Sequence, residues 1–405
     1  MRVSSLLSLG LLLALCAPAC SDSDDPHAEG GAGGDTTEPS GGEGGLGASG
    51  GGGQSGSTGG AGVGGNGGES ESGVAPRGAV PGEQPLFDGE NEVSTASGED
   101  AVFRLEVGAN EHVGFFLRFA SGIPGVTLEL SRWDGQAAQA LAITDGGIGL
   151  RTLAAFDASG PRTFWLRVGA QSGFEGTLEV VRTPFADGPT CDDDCDRLLQ
   201  LPVANDPEVD GYDWRPSTVF RYQFGRRDLL MLLRYAGQQM ALAGRAPFIP
   251  EDLSQWDSLT PGTDVGAPRH ASHQNGKDVD LSLYGSDGLC EWRSYCDAVN
   301  SGSGRECLPG SESGFDGRAN AELFGAFLQS GRVTMSFLDQ ELIPHVEDGA
   351  AEAADGDTLD PALVPLYSDG VHLQHWPNHD NHIHVRLSEQ AYGVQSLEIE
   401  PFEAP

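Results

Sequence analysis

The chain has a single lysine, Lys277, and its 23 basic residues face 60 acidic ones, for a formal net charge of −37. That deficit argues against a nucleic-acid partner, because phosphate binding draws on clustered basic side chains. It argues equally against broad electrostatic adhesion to anionic lipid. Long hydrophobic runs are missing too: no stretch reaches the 18 apolar residues of a membrane-spanning helix. Large apolar side chains are nearly absent from residues 21–80, and 21 of the 60 glycines crowd into 30–70. Such a composition cannot bury enough surface to offset its ordering entropy. Residues 21–85 are therefore expected to be a disordered tether, and about 50 residues of Gly-rich coil span ~40 Å. With the tether and the first 20 residues set aside, about 320 residues remain, enough for two ordinary cores. No internal repeat is present.

The amino terminus has the outline of an export signal. Arg2 precedes an apolar run from Leu6 to Leu15, which ends in Cys16-Ala-Pro-Ala-Cys20. The run is too short for a membrane anchor and suits a cleaved signal peptide, residues 1–20. Ala17 and Ala19 ahead of Cys20 resemble a bacterial lipobox, with alanine at 17 where leucine is usual. The resemblance implies lipidation of Cys20. Ser21, rather than aspartate, then points to the outer membrane, with the protein anchored on the periplasmic side. Ordinary secretion is the alternative.

From Glu92 to Arg182 the hydrophobic period is two. Phe103, Leu105 and Val107 form one stripe, and Val113, Phe115, Leu117 and Phe119 a second. Val126, Leu128 and Leu130 form a third, Phe164, Leu166 and Val168 a fourth, and Leu178 and Val180 a fifth. Asp134-Gly135 and Gly160-Pro161 supply turn signals between them. Short alternating strands with turns between them predict an all-β sandwich over residues 86–185. It carries no cluster of His, Cys or paired acids, so a binding or bracing role is expected of it.

Residues 186–405 read as a mixed α+β domain. Asp228 opens an amphipathic run, Leu229 to Tyr235, that stops near Gly244, which predicts a helix. Asn320 is expected to cap a second helix through Leu328, and Val333–Phe337 reads as a strand. Cys191 and Cys195 bracket three aspartates and could close a local disulfide in an exported protein. The aspartate run lacks the spaced oxygen ligands of a calcium loop. With Cys20 lipidated, Cys191, Cys195, Cys290, Cys296 and Cys307 remain, an odd number that leaves one thiol over.

Seven of the ten histidines fall in two short clusters. The first runs His270-Ala-Ser-His273-Gln-Asn-Gly276-Lys-Asp278-Val-Asp280-Leu. Gly276 marks a turn. Beyond it Asp278, Asp280 and Ser282 alternate with Val279, Leu281 and Leu283, so the aspartates share one face of a strand. The second cluster contains His372, His375 and then His379-Asp-Asn-His382-Ile-His384-Val-Arg386. Its period is also two, which places His382, His384 and Arg386 together. His273, Asp280 and a histidine of the second cluster would supply three protein ligands and an open position, the arrangement of a catalytic zinc. One zinc ion so held brings coordinated water to a pKa of about 7.

Ser272-His273-Gln-x-Gly276-x-Asp278-Val279-Asp280, together with His379-x-x-His382-x-His384-Val-Arg386, resembles the penicillin-insensitive murein endopeptidases. The resemblance covers about residues 210–390. It implies a Hedgehog/D-Ala-D-Ala metallopeptidase-like α+β catalytic domain, with His273, Asp280 and His384 as zinc ligands and His270 approaching the metal. By the same resemblance His379 and His382 are catalytic, polarising water or stabilising the oxyanion. Arg386 and Asp278 are candidate substrate contacts, Asp278 alternatively orienting a ligand. The carboxypeptidase branch of the wider group places a glutamate just before its His-x-His. No glutamate lies between Val371 and His384, and His379 stands near that position instead. A histidine can do the same proton work, because its ordinary pKa lies near neutrality. The implied activity is hydrolysis of the D-alanyl–diaminopimelate cross-links between peptidoglycan stem peptides. The alternatives are a D,D-carboxypeptidase of the same group and a non-hydrolytic wall-binding protein.

Overall fold

The structure, a computed structural model, describes residues 73–144, 148–302 and 304–388. The signal peptide, Cys20 and the tether through residue 72 lie outside the described residues.

The N-terminal region is rich in β-sheet. Its strands are β1 (Gln84–Pro85), β2 (Gly89–Thr95), β3 (Asp100–Val107), β4 (Glu111–Phe119), β5 (Thr127–Trp133), β6 (Ala138–Thr144), β7 (Leu150–Asp157), β8 (Arg162–Gly169) and β9 (Phe174–Pro184). They form two sheets, ordered β1-β3-β8-β5-β6 and β2-β9-β4-β7. The five apolar stripes lie on β3, β4, β5, β8 and β9 and meet in one core, where Val107, Val113, Phe115, Leu130 and Phe164 are fully buried. Burying each such side chain contributes about 1.5–3 kcal/mol. Strand β7 shows no alternation in sequence, and every one of its residues is buried. Its outer face is covered by the C-terminal region, where Gln200 Nε2 donates to Thr152 Oγ1 at 3.0 Å and Val203 N to Ala154 O at 2.9 Å.

Residues 73–85, expected within the tether, belong instead to the folded region. Ala75 is buried with Trp133 and Trp165, Arg104 Nη2 donates to Ala75 O at 2.6 Å, and β1 pairs in parallel with β3. Glycine content obscured this segment, whose anchors are backbone groups, the small Ala75 side chain and Glu83, which accepts from Trp165 Nε1 at 2.8 Å and Arg104 Nη1 at 3.3 Å.

The C-terminal region mixes helices with a sheet. In order come β10 (Leu198–Gln200), α1 (Pro207–Asp210), β11 (Phe224–Arg226), α2 (Arg227–Leu242), β12 (Pro250–Glu251), β13 (Asp278–Tyr284), β14 (Cys290–Glu291), β15 (Val299–Asn300), β16 (Glu306–Cys307), α3 (Gly317–Leu328), β17 (Val333–Leu338), α4 (Ile343–Asp355), β18 (Gln374–His375) and β19 (His382–Leu387). The main sheet has the order β12-β13-β19-β17-β18, with β14 also paired to β13. Val279, Leu281 and Leu283 of β13 and Ile383, Val385 and Leu387 of β19 join Leu229–Leu233 of α2 and Leu323–Phe327 of α3 in one core. The opposite face of β13 and β19 is left to the polar residues.

Helix α2 and strand β17 lie where the sequence predicts them. Helix α3 starts earlier than expected, because Asp316 is its cap and accepts from Ala319 N. Asn320 sits inside the helix, where its side-chain amide exchanges two 2.9 Å hydrogen bonds with the Tyr284 backbone. It ties α3 to the end of β13 rather than capping. Cys191–Cys195 and Cys296–Cys307 are disulfides, and Cys290 is the buried thiol left over.

Candidate metal centre

Strands β13 and β19 run antiparallel in a register that pairs Asp278 with Arg386, Asp280 with His384 and Ser282 with His382. Alternate residues of a strand share a face, so Asp280 and His384 meet as cross-strand neighbours on the polar side. The turn before β13 delivers His270 and His273. It is held by three left-handed residues, His273 (φ 57°), Asn275 (φ 62°) and Gly276 (φ 61°). Glycine is required at 276, where a Cβ would lie 2.6 Å from Arg226 N.

His270, His273 and Asp280 bring ligand atoms within 4.8 Å of one another, forming a partly to fully enclosed cluster able to hold a metal ion. His384 abuts the same point, with Nδ1 at 3.1 Å from His273 Nε2 and 2.9 Å from Asp280 Oδ1. His273 Nε2 lies 3.3 Å from that oxygen. His382 Nε2 and His270 Nδ1 each lie 3.9 Å from Asp280 Oδ2. The His379 ring stands 4.5 Å from that of His382 and 6.2 Å from that of His384. Both histidine clusters of the sequence therefore converge on Asp280.

The other nitrogen of each imidazole is engaged from outside. His273 Nδ1 donates to the Asp252 carbonyl. His384 Nε2 binds Asp278 Oδ1 at 3.0 Å, and His270 Nε2 binds Asp252 Oδ2 at 2.9 Å. His382 Nδ1 binds Asn381 Oδ1 at 2.7 Å, and His379 Nδ1 binds Pro377 O at 2.7 Å. Outer acceptors of this kind set the tautomer of a metal-binding histidine. Here they leave His273 Nε2 and His384 Nδ1 as lone-pair donors facing each other across 3.1 Å, with the Asp280 carboxylate beside both. Three ligand atoms so close together can hold a cation in place of the protons they otherwise share, and imidazole with carboxylate is a donor set that suits zinc.

The electrostatics agree. Burial disfavours the charged form of every group here. For Asp280 the surrounding imidazoles outweigh burial and hold its carboxyl well below the usual range. Burial works against protonated His384, but Asp278 and Asp280 prevail and push it up to about 9. His273 is likewise raised, burial being outweighed by Asp280. His382 goes the other way: burial holds it well below the ordinary histidine value, and Asp280 only partly compensates.

Asp278, expected among the substrate contacts, is enclosed. Its Oδ1 takes the His384 imidazole and Arg386 Nε, the latter at 2.5 Å. Burial on both sides of β13 leaves that carboxylate to orient His384 and to fix Arg386, which remains partly exposed. His375 turns away to Glu306 at 3.1 Å and His372 to Asp369 at 2.5 Å.

Several residues carry no signal in the motifs. Asp252 holds His270 and His273 from about 20 residues upstream. Glu251 pairs in register with Asp280. Burial pushes its carboxyl up to about 7 against the pull of Arg215. Arg215 in turn lies over the Trp292 ring at 5.0 Å, and Trp292 stacks on His382. Such contacts unite distant segments, and no local spacing announces them.

No known family model matches the chain, and no curated protein matches it. Solved structures resemble parts of it. The pre-peptidase C-terminal domain of a Bacillus anthracis collagenase is 15% identical over 24% of this chain and 94% of its own, with a TM-score of 0.20. A periplasmic inhibitor of g-type lysozyme from Aeromonas hydrophila is 16% identical over 25% of this chain and 96% of its own, with a TM-score of 0.19. At these scores neither likeness bears on fold or function.

Proposed function

We propose that the chain is a zinc-dependent peptidoglycan endopeptidase that hydrolyses stem-peptide cross-links. The observation that carries this reading is the buried His270, His273 and Asp280 cluster, with His384, His382 and His379 gathered round it. When bound, the ion supplies Lewis acidity toward water and toward a peptide carbonyl. His273, Asp280 and His384 would hold it, with His270 beside them, the three imidazoles being held in ligand orientation by Asp252 or Asp278. His382, its Nδ1 bound to Asn381, would turn Nε2 toward Asp280 and take the proton of attacking water. That same proton would then pass to the leaving amine, from His382 itself or by way of His379 beside it. Arg386, fixed through Nε and partly exposed, can pair with a substrate carboxylate. Lipidation at Cys20 would keep this activity at the outer membrane, facing the wall. The N-terminal region, packed on β10, would brace the catalytic half.

The test is to incubate the zinc-loaded chain with purified cross-linked muropeptide dimers and to follow products by mass, with His384→Ala as control. The expected result is conversion of dimers to monomers, lost in the control. Loss of one terminal alanine with the cross-link intact would replace this reading by a D,D-carboxypeptidase. Zinc and muropeptide binding with no change in mass would replace it by a wall-binding protein.

A further inference from the structure

Between β14 and α3 the chain makes an excursion, Trp292 to Cys307, closed on itself by the Cys296–Cys307 disulfide and the β15–β16 pair. Four of its residues grip the segment that carries His379 and His382. The Trp292 ring lies against the His382 ring, with centroids 5.0 Å apart and planes 25° apart. Tyr295 N donates to Asp380 O at 3.0 Å. Arg305 N donates to Asn378 Oδ1 at 2.5 Å, and Asn378 N returns a bond to Arg305 O at 2.7 Å. Arg305 Nε donates to Asp380 Oδ2 at 2.8 Å, and Ser294 Oγ donates to the same oxygen. Asp380 is completely buried, and a buried carboxyl group is costly unless it is partnered, as here by the Arg305 guanidinium and the Ser294 hydroxyl. His270 and His273 take their outer contacts from Asp252 and Leu253, away from the excursion, while Asp280 touches both His384 and His382.

We propose that this disulfide-closed excursion is a clamp that sets the orientation of His379 and His382, with Arg305 as its positioning residue, acting through Asp380. The clamp separates two tasks. His270 and His273 from the turn before β13, Asp280 of β13 and His384 of β19 would hold the ion, and the excursion aims His379 and His382 at it. Its kinetic consequence rests on the hydrolytic reading above; its structural consequence does not.

The experiment compares wild type with Arg305→Ala and Arg305→Lys, each in the whole mature chain. Three readouts are taken: zinc affinity by calorimetry, turnover of muropeptide dimers, and imidazole nitrogen signals by NMR. Arg305→Ala should lower kcat by about 100-fold, as expected for catalytic groups displaced by an ångström, with KM and zinc affinity near wild type. His379 and His382 signals should shift or broaden while those of His270 and His273 stay. Arg305→Lys should recover most of the kcat, because it restores a cation to Asp380. Unchanged kcat together with unchanged His379 and His382 signals overturns the clamp. Parallel loss of zinc affinity and kcat also overturns it, since that reports a general structural role. If wild type leaves the dimers intact, the hydrolytic reading fails and the imidazole signals alone decide the clamp. If Arg305→Ala does not fold, Trp292→Phe against Trp292→Ala decides. The clamp stands if only the alanine displaces His382 and falls if neither does.

Discussion

Strands β3 and β13 have the same alternating pattern and opposite fates. In β3, Phe103, Leu105 and Val107 point into the core while Asp100 and Glu106 face water. In β13, Val279, Leu281 and Leu283 do the same, yet Asp278, Asp280 and Ser282 are buried as well. The difference lies in what covers the polar side. Nothing covers Asp100 and Glu106, whereas β13 is met by the polar face of β19 and by the His270–Gly276 turn. Alternation thus tells which side chains share a face, but not whether that face meets solvent. A buried polar face is expensive unless every group on it finds a partner. The imidazoles and carboxylates of the candidate site meet most of that demand among themselves, through the same atoms that could hold a cation.

The sharpest way to break the comparison is to remove a polar residue of β13. Asp280→Ala should abolish tight zinc binding, with a loss exceeding the roughly 10- to 100-fold caused by outer-shell changes, measured by calorimetry. Retained affinity would place the ion elsewhere. An apolar change in the other region should do the reverse. Leu130, fully buried in the N-terminal core, should cost about 2–5 kcal/mol of stability as Leu130→Ala and leave zinc affinity in the folded chain unchanged. Denaturant unfolding and calorimetry on one preparation test both halves.

A smaller effect separates the regions by pH. His384 has a folded value of about 9, above the ordinary 6.5. In the metal-free chain its contribution to stability is complete below about pH 6.5 and is lost as pH rises through about 9. His112, on β4, is the opposite case: burial lowers it to about 4. Its contribution is complete above about pH 6.5 and is lost as pH falls through about 4. The unfolding midpoint of the metal-free chain should therefore fall on both sides of neutrality. His112→Gln should remove part of the acid limb, the rest belonging to His382 and to carboxyls held low in the folded chain, Asp280, Asp252 and Glu322 among them, and should leave the alkaline limb. Zinc should stabilise increasingly as pH rises, because its ligands must shed protons. An alkaline limb unchanged by zinc would contradict the proposed donor set.

Much of the fold was legible because it repeats locally. The stripes of β3, β4, β5, β8 and β9, helix α2 and strand β17 follow from side-chain periods of two and 3.6. Strand β7 was not legible, since a strand covered on both faces loses its alternation. The Gly73–Pro85 segment was hidden because backbone groups, Ala75 and Glu83 hold it. Of the site, His270, His273, Asp280, His382 and His384 were recognisable from their clustering. Asp252, Trp292, Arg305 and Asp380 were not, because each acts across a gap in sequence that only folding closes.

The amino-acid sequence by itself determined which residues share a face. It also showed two histidine clusters, each running into a stretch of period two. Tertiary structure alone decided that β13 and β19 are neighbours in the register that sets Asp280 against His384. It also decided that Asp278 is enclosed rather than open to a substrate, and that a disulfide-closed excursion grips the segment carrying His379 and His382. The physical reason is range. Periodicity and turn chemistry act over a few residues, whereas burial, strand pairing and the compensation of buried charge are properties of segments brought together by the whole core.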